Sequence, residues 1–322
     1  MIAYNRVGKT ALQVPRLSFG SAPLAHPSFV KKVSREAALN TVRYAVAQGL
    51  NFIDSAPHYG FGQSESLVGE ALKGTPRERY ILATKVGRLV EPGVRSYFDY
   101  SRDGILRTID ESLHRLQVDR LDILHIHDPE DHFREALDNA YPILADLKRQ
   151  GALHAIGAGM MQWPMLRDLA LNADFDCFLL AGRYTLLDQG ALNFLSFCQE
   201  RQISVLLGAI YNGGILATGA IPGALYDYFP PSPEIVERVN RIEAICLRYG
   251  VPMRIAALRF VAAHPAVTSV IVGLQTTLEV DEILKAWQTP VPAALWDDLR
   301  AAGLIHAAAP VPAIEVENGS EQ

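Results

Sequence analysis

The spacing of apolar runs constrains the fold of this chain more than any other feature. Seven short runs begin at Leu50 (LNFID), Tyr80 (YILAT), Leu121 (LDILHI), Leu153 (LHAIGA), Phe175 (FDCFLL), Ile203 (ISVLLG) and Val267 (VTSVIV), and an eighth, RLSFG, spans Arg16 to Gly20. Near-continuous apolar runs are what parallel strands covered on both faces require. From Leu50 onward the starts are 30, 41, 32, 22, 28 and 64 residues apart, which leaves room for helices between strands. Helical patterns fill the gaps. Ser34 caps a face of Ala38, Val42, Ala45, Val46 and Gly49; a second helix opens near Ser64, turns Leu67, Val68, Ala71 and Leu72 inward and stops at Gly74; Ile105, Ile109, Leu113 and Leu116 repeat the pattern. Pro142 predicts a helix that kinks or starts there.

Alternation of strand and helix predicts an α/β fold, a single (β/α)8 TIM barrel over residues 1–306 with a loosely held tail at 307–322. The 322 residues exceed a minimal barrel of about 250. The excess is assigned to a β-hairpin at 4–15 plugging the barrel bottom, to that tail, and to insertions after the third strand (GRLVEPGVRSYFDYSRDG) and the seventh (IYNGGILATGAIPGALYDYFPPSP). Both insertions are βα loops, which rim a barrel's active face. Two domains and a doubly wound sheet are the competing folds, but no GxGxxG follows the first strand.

With 49% hydrophobic and 20% charged residues and a net charge of −5, the chain is globular and lacks the basic field that holds nucleic acid or an anionic membrane. Small molecules are the expected partners. Cys177, Cys198 and Cys246 show neither a disulfide framework nor metal spacing, and no run is long and apolar enough for a membrane helix. A cytoplasmic protein is expected, as monomer or homodimer.

Four reactive residues fall at strand ends: Asp54 after the second strand with Tyr59 in its loop, Lys85 on the third, and His127 on the fourth. Singly, each also fits a capped turn, a half-buried aromatic, a solvated strand end or a satisfied imidazole. Together they form a proton-transfer site. A phenol of ordinary pKa about 10 is lowered by a neighbouring ammonium, Asp54 holds Lys85 charged, and His127 polarises a substrate oxygen. The set suits protonation of a carbonyl oxygen as hydride arrives, or the reverse.

NFIDSAPHYGFGQSESLVGEAL resembles the aldo-keto reductase signature of Asp, four residues, then Tyr; ILATKVG resembles the family's lysine strand, and LDILHIHDP its Asp-x4-His strand. The likeness runs from LSFGSAPL to SVIVGLQTTLEVDEIL, and SAPHYG, AIGAGM and RYTLLDQ are most similar to the branch of dehydrogenases acting on L-fucose, D-threo-aldoses and L-galactose. The resemblance implies a catalytic tetrad of Asp54, Tyr59, Lys85 and His127, with Tyr59 as general acid or base. It also implies an extended nicotinamide dinucleotide held without a Rossmann motif by Gly20 and Ser21 after the first strand, by Asp54, and by the later strand ends. Where many members have Ser-Asn after the fifth strand, this chain has Gly159-Met160-Met161-Gln162, so Gln162 is the candidate grip on the carboxamide. The stacking tyrosine of many reductases aligns with Gly208, leaving Tyr211 or Asn212 for that role beside Gly214.

In the last loop Gly273, Leu274 and Glu279 stand where NADP-using relatives often place Lys, Ser and Arg, with Gln275 and Thr276 as cofactor contacts between them, and Glu282 matches the adenine-side glutamate. A carboxylate about 5 Å from a phosphate costs roughly 3 kcal/mol per unit charge at an effective dielectric of about 20, so NAD is expected over NADP. The expected reaction is oxidation of an aldose at its anomeric hydroxyl to the lactone. An NAD(P)H-dependent aldehyde or ketone reductase, acting on pyridoxal-type substrates among others, is the alternative; a cofactor-binding regulatory β-subunit and a Schiff-base aldolase using Lys85 are remoter. Substrate walls are expected from APLAHPSF, from Tyr97, Phe98 and Tyr100, and from Tyr226, Tyr228 and Phe229, with His26, His58 and Asp128 near the sugar hydroxyls.

Overall fold

A computed structural model describes residues 2–25, 33–91 and 95–312. Residues 26–29 of that first wall, His26 among them, and the tail from residue 313 lie outside them. In chain order the elements are β1 (Tyr4–Arg6), β2 (Gln13–Pro15), β3 (Leu17–Gly20), α1 (Arg35–Ala47), β4 (Phe52–Asp54), α2 (Gln63–Leu72), β5 (Ile81–Val86), β6 (Arg88–Glu91), β7 (Arg95–Phe98), α3 (Arg102–Leu116) and β8 (Ile123–His127). There follow α4 (Phe133–Glu135), α5 (Tyr141–Arg149), β9 (Ala155–Met160), α6 (Trp163–Asn172), β10 (Cys177–Ala181), α7 (Leu192–Arg201), β11 (Ser204–Gly208), α8 (Ile215–Thr218), α9 (Pro233–Arg248), α10 (Met253–Ala262), β12 (Val267–Gly273), α11 (Thr277–Gln288) and α12 (Ala293–Ala301).

Eight parallel strands close in the order β3, β4, β5, β8, β9, β10, β11, β12, and β12 returns to β3 with Val270 opposite Leu17 and Gly273 opposite Gly20. Closure rules out the doubly wound sheet, which keeps two open edges. All eight expected strands form; β12 begins at Val267 as expected, and the other seven begin one or two residues later than expected. Ser34 accepts from the Ala37 amide at the head of α1, and Pro142 follows a π-helical turn, Ala136–Ala140, that joins α4 to α5, the local irregularity a proline imposes inside a helix. Among the described residues no helix is long and apolar enough to cross a membrane.

Side chains alternate along each strand between the barrel interior and the helix ring. The lower interior is apolar: Phe52, Ala83, Ile123, Ala155, Cys177, Leu206 and Ile271 pack with Val7 and Val14. Those valines come from the β1–β2 hairpin, which closes the bottom as expected. Each is fully buried and contributes about 1.5–3 kcal/mol. The Gly8 amide donates to Ser204 Oγ (2.7 Å), pinning the hairpin turn to the foot of β11.

Outside the barrel, α2 and α3 meet at Gly69. A Cβ there would lie 2.5 Å from the carbonyl carbon and oxygen of Leu116. Backbone cannot move aside as a side-chain tip can, so Gly69→Ala is expected to lower stability by about 1–3 kcal/mol, read as a reduced urea midpoint with unchanged slope.

Candidate active site

The alternation that fills the lower barrel with apolar groups carries chemistry to its upper rim. One pleat above Phe52, Ala83 and Ile123 stand Asp54, Lys85 and His125, with His127 above His125. The Lys85 ammonium donates to Asp54 Oδ1 and Oδ2 (3.0 and 2.9 Å) and to the Ser55 carbonyl (2.7 Å). Both side chains are almost sealed from water, at 1% and 3% exposure for Lys85 and Asp54. Burial opposes both charges. For Lys85 burial is the largest single influence, but Asp54 and Tyr59 together outweigh it and hold the ammonium above its ordinary range; for Asp54 burial outweighs the lysine and leaves the carboxyl raised.

Tyr59 reaches this pair from the loop after β4. A tight turn, with Gly62 N donating to the Pro57 carbonyl and Ser64 N to the Tyr59 carbonyl, holds the ring so that Lys85 Nζ lies 4.7 Å from its centroid. The His127 ring stands edge-on, 6.3 Å away between centroids. The structure thus brings together all four residues singled out at the strand ends. Burial and the Lys85 and Arg88 charges hold the His127 pKa well below its ordinary value, so it acts as a neutral imidazole.

One expectation is corrected. Lys85 does pull the Tyr59 phenol down, but burial pushes it up by more, and the net pKa rises to about 12. The tyrosine is therefore a protonated donor at neutral pH in this state.

Three features had no signal in the sequence. Tyr100, expected as a substrate wall, is buried behind the site and donates to the His127 carbonyl. Gly87 makes room for it: at φ +89, a Cβ would sit 2.0 Å from the Tyr100 ring. Tyr97 accepts from Arg107 (2.9 Å) at the surface and is no wall either. His125 lies fully buried below His127, pressed against Gly157, and neither ring nitrogen finds a partner among the described residues; burial and Lys85 hold its pKa down to about 3. Arg88 leaves β6 to meet Asp128.

The other half of the rim is bare. Gly20, Gly208 and Gly273 end β3, β11 and β12, and Gly159 is the last residue but one of β9; a Cβ on Gly208 would come no nearer than 3.7 Å to Leu179, whereas Gly273 is packed against the Pro23 ring. Gly214, at φ +108, has open space where a side chain would be. This side-chain-free floor fits the flat rings and extended phosphates of a dinucleotide. Ser21 is present, but its hydroxyl donates to Ser55 and accepts from Ser64 (2.9 and 2.8 Å) beneath the floor. Gln162 is exposed at the head of α6. Asn212 is buried and gives its amide to the Gly182 carbonyl (3.0 Å), tying down the loop, while Tyr211 is half-buried beside it. Gln275 donates to the Pro23 carbonyl (2.7 Å). Thr276 and Glu279 form a capping box at the head of α11, where Glu279 Oε2 accepts from the amides of Gln275 and Thr276 (2.6 and 3.2 Å). Glu282 pairs with Arg254 (3.1 Å). Tyr226, Tyr228 and Phe229, with Met161 and Arg183, line a cavity of about 570 Å³ on the same barrel face.

A buried ion pair broken on one side costs about 3–5 kcal/mol, and less when the survivor can neutralise itself. Lys85→Met is therefore expected to destabilise the fold clearly more than Lys85→Met combined with Asp54→Asn, as read from denaturant midpoints of the three proteins.

Comparison with known proteins agrees with this geometry. The Aldo/keto reductase family profile matches residues 16–303. Pyridoxal 4-dehydrogenase of Microbacterium luteolum is 33% identical, over 93% of this chain and 97% of its own. D-threo-aldose 1-dehydrogenase of a Pseudomonas species is also 33% identical, over 91% and 95%. Among solved structures, the holo form of an aldo-keto reductase from Bacillus halodurans superposes with a TM-score of 0.77 over 96% of this chain and 98% of that one, at 24% identity.

Proposed function

The chain belongs to the aldo/keto reductase family, and on that premise we propose that it is an NAD-dependent dehydrogenase oxidising the anomeric hydroxyl of an aldose to the lactone. The observation carrying the chemistry is the Lys85 ammonium, clasped by Asp54 under the Tyr59 ring and beside His127. A nicotinamide dinucleotide on the glycine floor supplies the hydride acceptor or donor. His127, neutral, orients the reacting oxygen through Nε2. Tyr59 as phenolate takes the hydroxyl proton while the hydride leaves C1, and Lys85 stabilises the phenolate. Asp54 keeps Lys85 charged and fixed, and the apolar lower barrel keeps water from reaching the site from beneath.

Aldoses are favoured by the D-threo-aldose relative and by a polar mouth of His58, Arg88 and Asp128 around the reacting position. Reduction of an aldehyde or ketone, with pyridoxal-type compounds included because of the pyridoxal relative, is the second reading. It is favoured by the protonated Tyr59, already a proton donor at neutral pH.

NAD is favoured over NADP by the place of Glu279. A helix head offers free amides and a positive dipole end to a phosphate. Here the Glu279 carboxylate already occupies the Gln275 and Thr276 amides and adds negative charge. Glu279→Gln keeps the cap and removes the charge, so the NADP-to-NAD ratio of kcat/KM should rise about tenfold or more in initial-rate measurements.

The phenol pKa of about 12 fixes the pH dependence. A raised pKa keeps the proton on Tyr59 until high pH, so the phenolate fraction grows about tenfold per unit below it. Aldose oxidation should climb across pH 6–9 and carbonyl reduction stay flat. Tyr59→Phe should cut turnover by at least about 100-fold with dinucleotide binding kept, as followed by fluorescence titration. More than a few per cent residual activity removes Tyr59 from this role.

A further inference from the structure

Asp128 directly follows the histidine that orients the reacting oxygen, and its backbone is bent out of the strand to serve that place. Its φ is +46, in the left-handed region that aspartate tolerates better than most residues. Its amide donates to the Gly159 carbonyl (3.0 Å), which continues the β8–β9 ladder and fixes the turn. The carboxylate lies at the mouth: Oδ2 is 2.7 Å from Arg88 Nη1 and 3.4 Å from His127 Nε2. Arg88 and Asp128 keep 23% and 27% of their side-chain surface exposed, so a ligand reaches both. Arg88 is itself held, with its guanidinium carbon 5.2 Å from the Phe98 centroid and Nε donating to Ser96 Oγ (3.4 Å), both across the β6–β7 hairpin. Asp128 Oδ1 accepts no hydrogen bond among the described residues.

We propose that Arg88 and Asp128 form a subsite for a hydroxyl on the carbon next to the reacting one, so that the substrates are 2-hydroxy aldehydes and aldoses. The inference rests on the hydride-transfer reading above and adds the substrate's required group. An oxygen held by His127 Nε2 brings its gauche neighbour to the Asp128 carboxylate, because vicinal oxygens lie about as far apart as two hydrogen-bonded atoms. The hydroxyl donates to Asp128 and accepts from Arg88. With no such hydroxyl, two charged groups at the mouth lose their ligand partner, the condition under which sites reject an analogue by large factors. The hairpin insertion after β5 thus acts as a reader of substrate polarity through one arginine.

The test compares kcat/KM for L-fucose and 2-deoxy-L-fucose with NAD, and for lactaldehyde and propanal with NADH, in the unmodified protein and in Asp128→Asn and Arg88→Met. Asparagine tolerates the left-handed backbone, and methionine keeps the packing over Phe98; melting temperatures check that both variants fold. The unmodified protein should favour the 2-hydroxy member of a pair by about 100-fold or more, and each variant should shrink that ratio at least tenfold. A ratio within about threefold in the unmodified protein, or an undiminished ratio in both folded variants, overturns the subsite. Absence of aldose oxidation with a preserved lactaldehyde-to-propanal ratio removes the aldose dehydrogenase reading and leaves the subsite standing.

Discussion

Two opposite charges sealed from water set the terms for the upper half of this barrel. The Lys85 ammonium and Asp54 carboxylate meet only because β4 and β5 pair in the register that sets Asp54 opposite Ala83, with Lys85 one pleat above. A one-residue slip would turn Lys85 into the helix ring and send Thr84 inward. Thr84 is committed to the other side, donating to the buried Glu65 (2.5 Å), which Arg115 of α3 also holds (2.7 Å). Neighbouring residues of one strand therefore anchor polar clusters on opposite faces of the sheet. The inner cluster lies under the Tyr59 ring, and the outer one joins α2 and α3 to the sheet in that register.

The strands were legible because burial on both faces leaves an uninterrupted apolar run, a signal that survives without knowledge of any neighbour. The cluster of Asp54, Tyr59, Lys85 and His127 was legible for a related reason, since a charged residue at the end of such a run has few structural duties that would place it there. Loop side chains gave no comparable signal. Whether Tyr100 faces the substrate or props the His127 carbonyl depends on the left-handed turn at Gly87 and on the hairpin behind it. The direction of the Tyr59 shift was hidden too: the lysine's charge is written in the sequence, whereas desolvation depends on every atom packed around the phenol.

The rim divides its labour by residue size. From β4 to β8 it carries charge, imidazole and phenol; β3, β11 and β12 end in glycines, and β9 places Gly159 one residue before its end. Chemistry at one side and open surface at the other would leave room for a flat hydride carrier beside Tyr59. The head of α11, where an anion would otherwise settle, is closed by the chain's own Glu279.

The seam between β12 and β3 joins residues separated by about 250 positions, Leu17 with Val270 and Gly20 with Gly273. Its consequence belongs to the birth of the molecule. During synthesis β3 emerges early and keeps an unpaired edge until nearly the whole barrel has followed it, and an exposed edge invites pairing with the wrong partner. Such a long-range closure is slow. The hairpin ahead of β3 leans on the feet of β11 and β12 as well, through Ser204 and the Thr268 carbonyl. The barrel floor is thus completed last, although the residues that seal it are made first.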